Sequence, residues 1–264
     1  MEQLLVIKIG GNIIDDDAAL KAFLNDFASI PAKKILVHGG GKVATELSGK
    51  LGVQTRMAEG RRITDEDTIR IVTMTYAGWI NKSITSKLQS AGCNAIGLCG
   101  MDGMIIPAIK RPVKEIDYGW VGDIEADKVN AKFLSQLLES NFTPVIAPVT
   151  SNKEGNLLNV NADTIAQVLA QALSEFYNTT LIYCFEKKGL LMDVNDPASV
   201  IGEVNYTFAQ DLKQRKIIAD GMIPKIDNAF NAIQNGVQSV VIGHAKFIKN
   251  IASGEKGYGT YLKK

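Results

Sequence analysis

Histidine and cysteine are scarce in this sequence: 264 residues include only His38 and His244 of the first kind and Cys93, Cys99 and Cys184 of the second. An odd cysteine count without paired spacing argues against a disulfide framework, and so few imidazoles and thiols make a zinc site a poor expectation. The cysteines read as small buried hydrophobes. A surplus of either charge is also missing, since 29 Lys+Arg face 28 Asp+Glu. That balance gives no reason to expect a polyanion-binding surface or a basic membrane-seeking face, so the expected partner is a small solute and not nucleic acid. No apolar run nears the ~20 residues of a membrane span, and the first strand begins soon after Met1 with no basic leader. A cytoplasmic protein is expected.

What the sequence does have is alternation. The apolar runs "LLVIKI", "KKILVH", "NAIGLC", "TPVIAPV", "TTLIYCF" and "QSVVIG" are separated by amphipathic stretches, the pattern of a mostly parallel sheet with helices on both faces. Thr64 followed by Asp67 resembles a capping box that opens a long helix to about Ala91. Residues 103–126, with prolines, glycines and short β-prone runs, suit a hairpin excursion able to cover a ligand. The polar loop 150–159 is the natural place to divide two lobes, 1–155 and 156–264.

Glycine turns follow two of the early strands, Gly10-Gly11 after Ile9 and Gly39-Gly40-Gly41 after His38. Such a turn lets backbone approach an anion, and a helix starting beyond it presents free N–H groups. Steric need at a strand-to-helix turn explains the same glycines equally well. The stretch "VHGGGKV" lacks the spacing of a Walker loop, and no G-x-G-x-x-G occurs, which disfavours a P-loop NTPase or a dinucleotide-binding fold. Lys8 is the anomaly, an ammonium near the C-terminal end of an otherwise apolar strand. Its desolvation calls for an anionic partner, either a bound phosphate or a carboxylate such as Asp163. The block "NVNAD", 159–163, opens an apolar helix and suits either capping or a binding site. "DGMIPK", 220–225, places a second lysine, Lys225, at a helix start, and His38 is expected to shape its turn through a backbone hydrogen bond.

Taken together, KIGG, HGGG, G-R-R-I-T, NVNAD, DGM-x-x-K and a terminal G-x-G-T, in this order over essentially the whole chain, resemble the N-acetylglutamate kinase branch of the amino acid kinase family. The resemblance implies a three-layer αβα sandwich with a mostly parallel open central sheet, commonly a homodimer. An N-terminal lobe would bind the acyl amino acid and a C-terminal lobe would bind ATP with Mg2+. It implies transfer of the ATP γ-phosphate to the γ-carboxylate of an N-acylglutamate, an early step of arginine biosynthesis. Lys8 and Lys225 match the pair that neutralises the transferring phosphoryl, and Asp163 matches the carboxylate that orients them. Gly10 and Gly11 match the phosphate-contacting loop, with Glu186 and Gly189 on the nucleotide side. Gly40, Gly41, Arg62 and Asn159 match positions that hold the acyl substrate, with Arg62 suited to a bidentate grip on its α-carboxylate. No protein metal site is expected. The acceptor carboxylate, with a pKa of about 4.3, is already ionised at neutral pH, so no general base is needed.

Two departures stand out. "YCFEKKGLL" puts Glu186-Lys187-Lys188 where relatives commonly carry aspartate and no such lysines, which leaves room for a nucleotide-sensing homologue without turnover. Arg61 precedes the matched Arg62 where leucine is usual; it reads either as a solvated surface arginine or, aided by Lys110 or Arg111, as a group accommodating an extra carboxylate, as in N-succinylglutamate. The first strand begins almost at Met1, where arginine-inhibited relatives carry a further helix, so a dimer insensitive to arginine is expected. Carbamate kinase, uridylate kinase and glutamate 5-kinase share the glycine turns and remain the alternatives within the family.

Overall fold

Strand β1 (Gln3–Ile9) sends Leu4 and Val6 into one hydrophobic layer and Leu5, Ile7 and Ile9 into another, as the pleat requires of a strand covered on both faces. The computed structural model describes residues 1–218 and 222–264. After β1 come α1 (Gly11–Ile14), α2 (Asp17–Ala28), β2 (Lys33–His38), α3 (Gly41–Lys50), β3 (Arg56–Ala58) and β4 (Arg61–Ile63). The chain continues through α4 (Glu66–Thr73), α5 (Asn81–Ser90), β5 (Ala95–Cys99), β6 (Ile109–Lys110), β7 (Gly122–Asp123) and α6 (Ala131–Glu139). Next are β8 (Thr143–Ala147), β9 (Val149–Ser151), β10 (Leu157–Asn159), α7 (Ala162–Leu173) and β11 (Asn178–Phe185). The last are β12 (Glu203–Val204), α8 (Tyr206–Gln214), α9 (Met222–Gln234), β13 (Ser239–His244), α10 (Ile248–Ala252) and β14 (Thr260–Leu262).

Eight strands form the central sheet in the order β12-β14-β13-β11-β1-β2-β8-β5. Every neighbouring pair is parallel except β13 with β14. The expected mostly parallel sheet is therefore present, and all six apolar runs are strands in it. Helices α2 and α5 cover one face through residues such as Phe23, Phe27, Ile84 and Leu88. Helices α7 and α9 cover the other through Ile165, Leu169, Ile226 and Phe230. Because β1 pairs with both β2 and β11, the sheet runs unbroken across the two halves of the chain. The winding reverses beside β1, and the C-terminal strand ends there open onto a crevice.

Two local expectations need correction or refinement. The helix after residue 64 is capped by Asp65, which accepts from Thr68 N–H at 2.9 Å, and not by Thr64. Thr64 stays extended because its backbone N–H and C=O are both bonded to the 118–120 segment. The helix itself is continuous into α5, but it passes through a π-helical stretch at Met74–Ile80. The excursion at 103–126 does form a hairpin, β6 pairing antiparallel with β7. Among the described residues, no helix is long and apolar enough to cross a membrane.

Candidate active site

Lys8 shares the strand face of Leu4 and Val6 and therefore points to the layer that contains α7. Asp163 lies in the first turn of that helix, and its Oδ1 is 2.7 Å from Lys8 Nζ. The oxygen is buried and accepts no aligned hydrogen bond, so the pair is held by charge. Asn161 caps α7, accepting from Asp163 N–H at 2.8 Å and Thr164 N–H at 3.2 Å. The Tyr183 hydroxyl donates to the Asp163 carbonyl at 3.3 Å, which fixes the same turn from β11. "NVNAD" thus divides its work: Asn161 is a cap, Asp163 pairs with Lys8, and Asn159 belongs to a cavity.

Two cavities open at this end of the sheet. The larger, about 490 Å³, is lined by Lys8, Gly10, Gly11, Glu186, Gly189 and Lys225, with an apolar wall that includes Leu190, Ile218 and Ile242. Lys8 and Lys225, far apart in sequence, are therefore brought to one cavity. Lys225 arrives on α9, and its Nζ sits 4.2 Å from the centre of the Phe185 ring. Burial pulls its pKa below the ordinary 10.5; Asp163 opposes that shift and Lys8 adds to it, so the three groups share one local field. Asp220 and Gly221 of "DGMIPK" lie outside the described residues. Gly189 is required where the backbone passes Thr260, because a Cβ there would lie 2.6 Å from Thr260 Oγ1. Of the departing residues, Glu186 and Lys187 line the cavity, whereas Lys188 lies against the Phe247 ring, 5.9 Å from its centre.

The smaller cavity, about 210 Å³, is lined by Gly40, Gly41, Arg61, Arg62, Asn159, Tyr76, Asn161 and Ala162, among others. The Arg62 guanidinium is buried and donates to Gly41 O at 2.8 Å, Thr45 Oγ1 at 2.8 Å and Thr55 Oγ1 at 3.1 Å. All three acceptors are neutral, and among the described residues no carboxylate pairs with it. A buried cation in that state favours an anionic ligand. Gly40 has φ 149°, and a Cβ there would stand 2.3 Å from Ile80 Cδ1, so the turn that floors this cavity admits only glycine. Arg61 lies on the cavity wall but is exposed. Neither hairpin cation lines that cavity: Lys110 covers Trp120 at 4.1 Å, and Arg111 Nε donates to Asp123 Oδ1 at 2.9 Å, although Arg111 and Arg61 both flank Tyr118.

His38 is fully buried. Its Nδ1–H donates to Gly39 O at 2.8 Å, and its Nε2 accepts from Asn81 Nδ2 at 3.2 Å, the assignment that satisfies both nitrogens. Burial lowers its pKa to about 4, so it shapes the turn as a neutral ring. Sequence reasoning missed Tyr76, Thr64 and Asn81. Tyr76 and Asn81 sit on a helix whose π-helical stretch shifts which residues face inward, and nothing in "MTYAGWI" announces that shift.

The sequence profile of the amino acid kinase family matches residues 3–244. The acetylglutamate kinase of Cytophaga hutchinsonii is 52% identical over 263 residues, 99% of each chain. That of Bacteroides thetaiotaomicron is 49% identical over 263 residues, 100% of this chain and 99% of the other. A Streptococcus mutans protein of known structure superposes with a TM-score of 0.76 at 27% identity, over 98% of each chain. The chain belongs to the amino acid kinase family, among its acetylglutamate kinases.

Proposed function

We propose that the protein transfers the γ-phosphate of ATP to the γ-carboxylate of N-acetylglutamate, an early step of arginine biosynthesis. The observation that carries this is the meeting of Lys8 and Lys225 in one cavity, with Asp163 tying Lys8 to the helix whose start lines the other. ATP takes the larger cavity, its base against the apolar wall and its phosphates toward Lys8, Gly10, Gly11 and Lys225. The acyl amino acid takes the smaller, its α-carboxylate on Arg62 and its amide near Asn159. In terms of lobes, residues 1–155 supply most of the acceptor cavity and 156–264 most of the donor cavity, with Asn159 crossing into the first and Lys8, Gly10 and Gly11 into the second.

The nucleophile is already anionic, so the obstacle is repulsion between two anions. Lys8 and Lys225 cancel that charge, and Asp163 keeps Lys8 extended toward the phosphoryl group. Magnesium fits as an ion carried by the nucleotide's phosphates, with Glu186 as the carboxylate on the cavity wall, since no cluster of three ligating side chains exists among the described residues. Its contribution would be further neutralisation of phosphate charge. The same reading makes the protein a cytoplasmic homodimer.

Hydroxylamine trapping of acyl phosphate tests the assignment across N-acetylglutamate, glutamate, aspartate and carbamate, each with ATP. Hydroxamate should form with N-acetylglutamate and vanish in a folded Lys225→Ala variant. Product from carbamate or free glutamate instead would move the protein elsewhere in the family, and nucleotide binding without any product would make it a sensor.

A further inference from the structure

Thr64 follows β4 directly and forms a parallel bridge with Gly119. Its N–H donates to Tyr118 O at 2.9 Å, and Trp120 N–H donates back to its carbonyl at 2.6 Å. The far side of that segment bridges β10: Val121 pairs with Asn159, and Asn159 N–H donates to Trp120 O at 2.9 Å. Residues 118–121 are therefore wedged between the arm carrying Arg62 and the arm carrying Asn159. The hairpin excursion is part of the cavity's frame, not a loose cover.

The Thr64 side chain spans the same gap. Its Oγ1 accepts from Asn159 Nδ2 at 3.1 Å and donates to Arg62 O at 3.0 Å. Thr64 has no accessible surface, so bulk water cannot replace either bond. Gly119 sets the spacing: it has φ 72°, and a Cβ there would lie 2.3 Å from Thr64 O. The two backbones are closer than any side chain permits.

We propose that Thr64 is a positioning residue for the acyl-amino-acid cavity, holding Arg62 and Asn159 at the separation at which both engage one substrate. The inference rests on the function proposed above. Thr64 lines neither cavity, so it acts through its two neighbours. A hydroxyl is the one small group that both accepts from the amide and donates to the carbonyl. Valine keeps the shape and loses both bonds, freeing the Asn159 amide to turn. Serine keeps them. The nucleotide cavity is built from other residues and is untouched by either change.

The test compares wild type, Thr64→Val, Thr64→Ser and Gly119→Ala by steady-state kinetics and by calorimetric titration with N-acetylglutamate. Thr64→Val is expected to raise both KM and Kd for N-acetylglutamate about tenfold, the scale of one orphaned buried donor, while KM for ATP stays at the wild-type value. Thr64→Ser is expected to restore most of the loss. Gly119→Ala approaches the gap from the other side and is expected to weaken the acyl substrate selectively too, which keeps the proposal open to refutation if Thr64→Val fails to fold. Wild-type affinity in the folded variants, equal impairment of Thr64→Val and Thr64→Ser, or a parallel rise in KM for ATP would overturn the positioning role. Failure of wild type to bind N-acetylglutamate would remove the functional assignment and this inference together; wild-type binding with an unaffected Thr64→Val removes the inference alone.

Discussion

Lys8 Nζ and Asp163 Oδ1 stand 2.7 Å apart, with 13% and 23% of their side chains exposed, where a strand of the sheet meets the first turn of α7. The ammonium lines the larger cavity and the carboxylate follows directly on Asn161 and Ala162 of the smaller. On the proposed function, the pair aims a cation at the boundary between donor and acceptor. Asp163→Asn is predicted to keep the fold while lowering kcat about a hundredfold, the scale of losing one preorganised electrostatic contact. KM for both substrates should change little. Equal kcat in the variant and wild type, in a steady-state assay, would remove Asp163 from the mechanism.

The lowered pKa of Lys225 gives a pH prediction. On the proposed function its charged form is the one that stabilises phosphoryl transfer, so activity is expected at neutral pH and should fall as pH rises through the lowered value. The basic limb of the kcat/KM profile, which reports the free enzyme, should therefore lie below the ordinary lysine value of 10.5. Lys225→Arg, with a guanidinium that stays charged, should shift that limb upward or abolish it. An unchanged limb in the variant would assign it to another group.

Arg61 stands on the wall of the smaller cavity, and we propose that it chooses between acyl groups. On that proposal, an extra carboxylate on the acyl chain meets its guanidinium at the rim of the smaller cavity. The measurement is kcat/KM for N-succinylglutamate against N-acetylglutamate, in wild type and in Arg61→Leu. Selective loss of the succinyl substrate in the variant supports a specificity role. Equal or better turnover of the acetyl form by wild type ends it.

His38 predicts acid sensitivity of the fold. The folded state holds the ring neutral down to about pH 4, whereas the unfolded chain takes up the proton near 6.5. Stability is therefore intact above about pH 6.5 and lost as pH falls from there toward about 4, by as much as about 3 kcal/mol. Thermal midpoints measured across that window should fall. His38→Gln, which has no proton to gain, should flatten the trend even if it is less stable at neutral pH.

The sheet was legible because each of its six longer strands is an apolar run between amphipathic stretches, and a strand buried on both faces has no other way to look. Strands β12 and β14, of two and three residues, are too short to leave such a mark. Lys8 was legible as an ammonium with no business in a dry strand, and Asp163 as one of its possible partners. Thr64 was misread because a hydroxyl three residues before an acid satisfies the capping pattern locally. What decided its role was the distant segment around Gly119, which takes up its backbone groups and leaves the cap to Asp65. The two-cavity arrangement was out of reach of local rules altogether, since it depends on α9 returning to the end of β1.

The most direct test of the account is a crystal structure with ADP, magnesium, N-acetylglutamate and a planar fluoride mimic of the migrating phosphoryl group. The account predicts both Lys8 Nζ and Lys225 Nζ within hydrogen-bonding distance, about 3 Å, of equatorial atoms of that mimic, with the acceptor carboxylate on the opposite side from ADP. Either ammonium turned away from the mimic, or the amino acid bound outside the Arg62–Asn159 cavity, would contradict it.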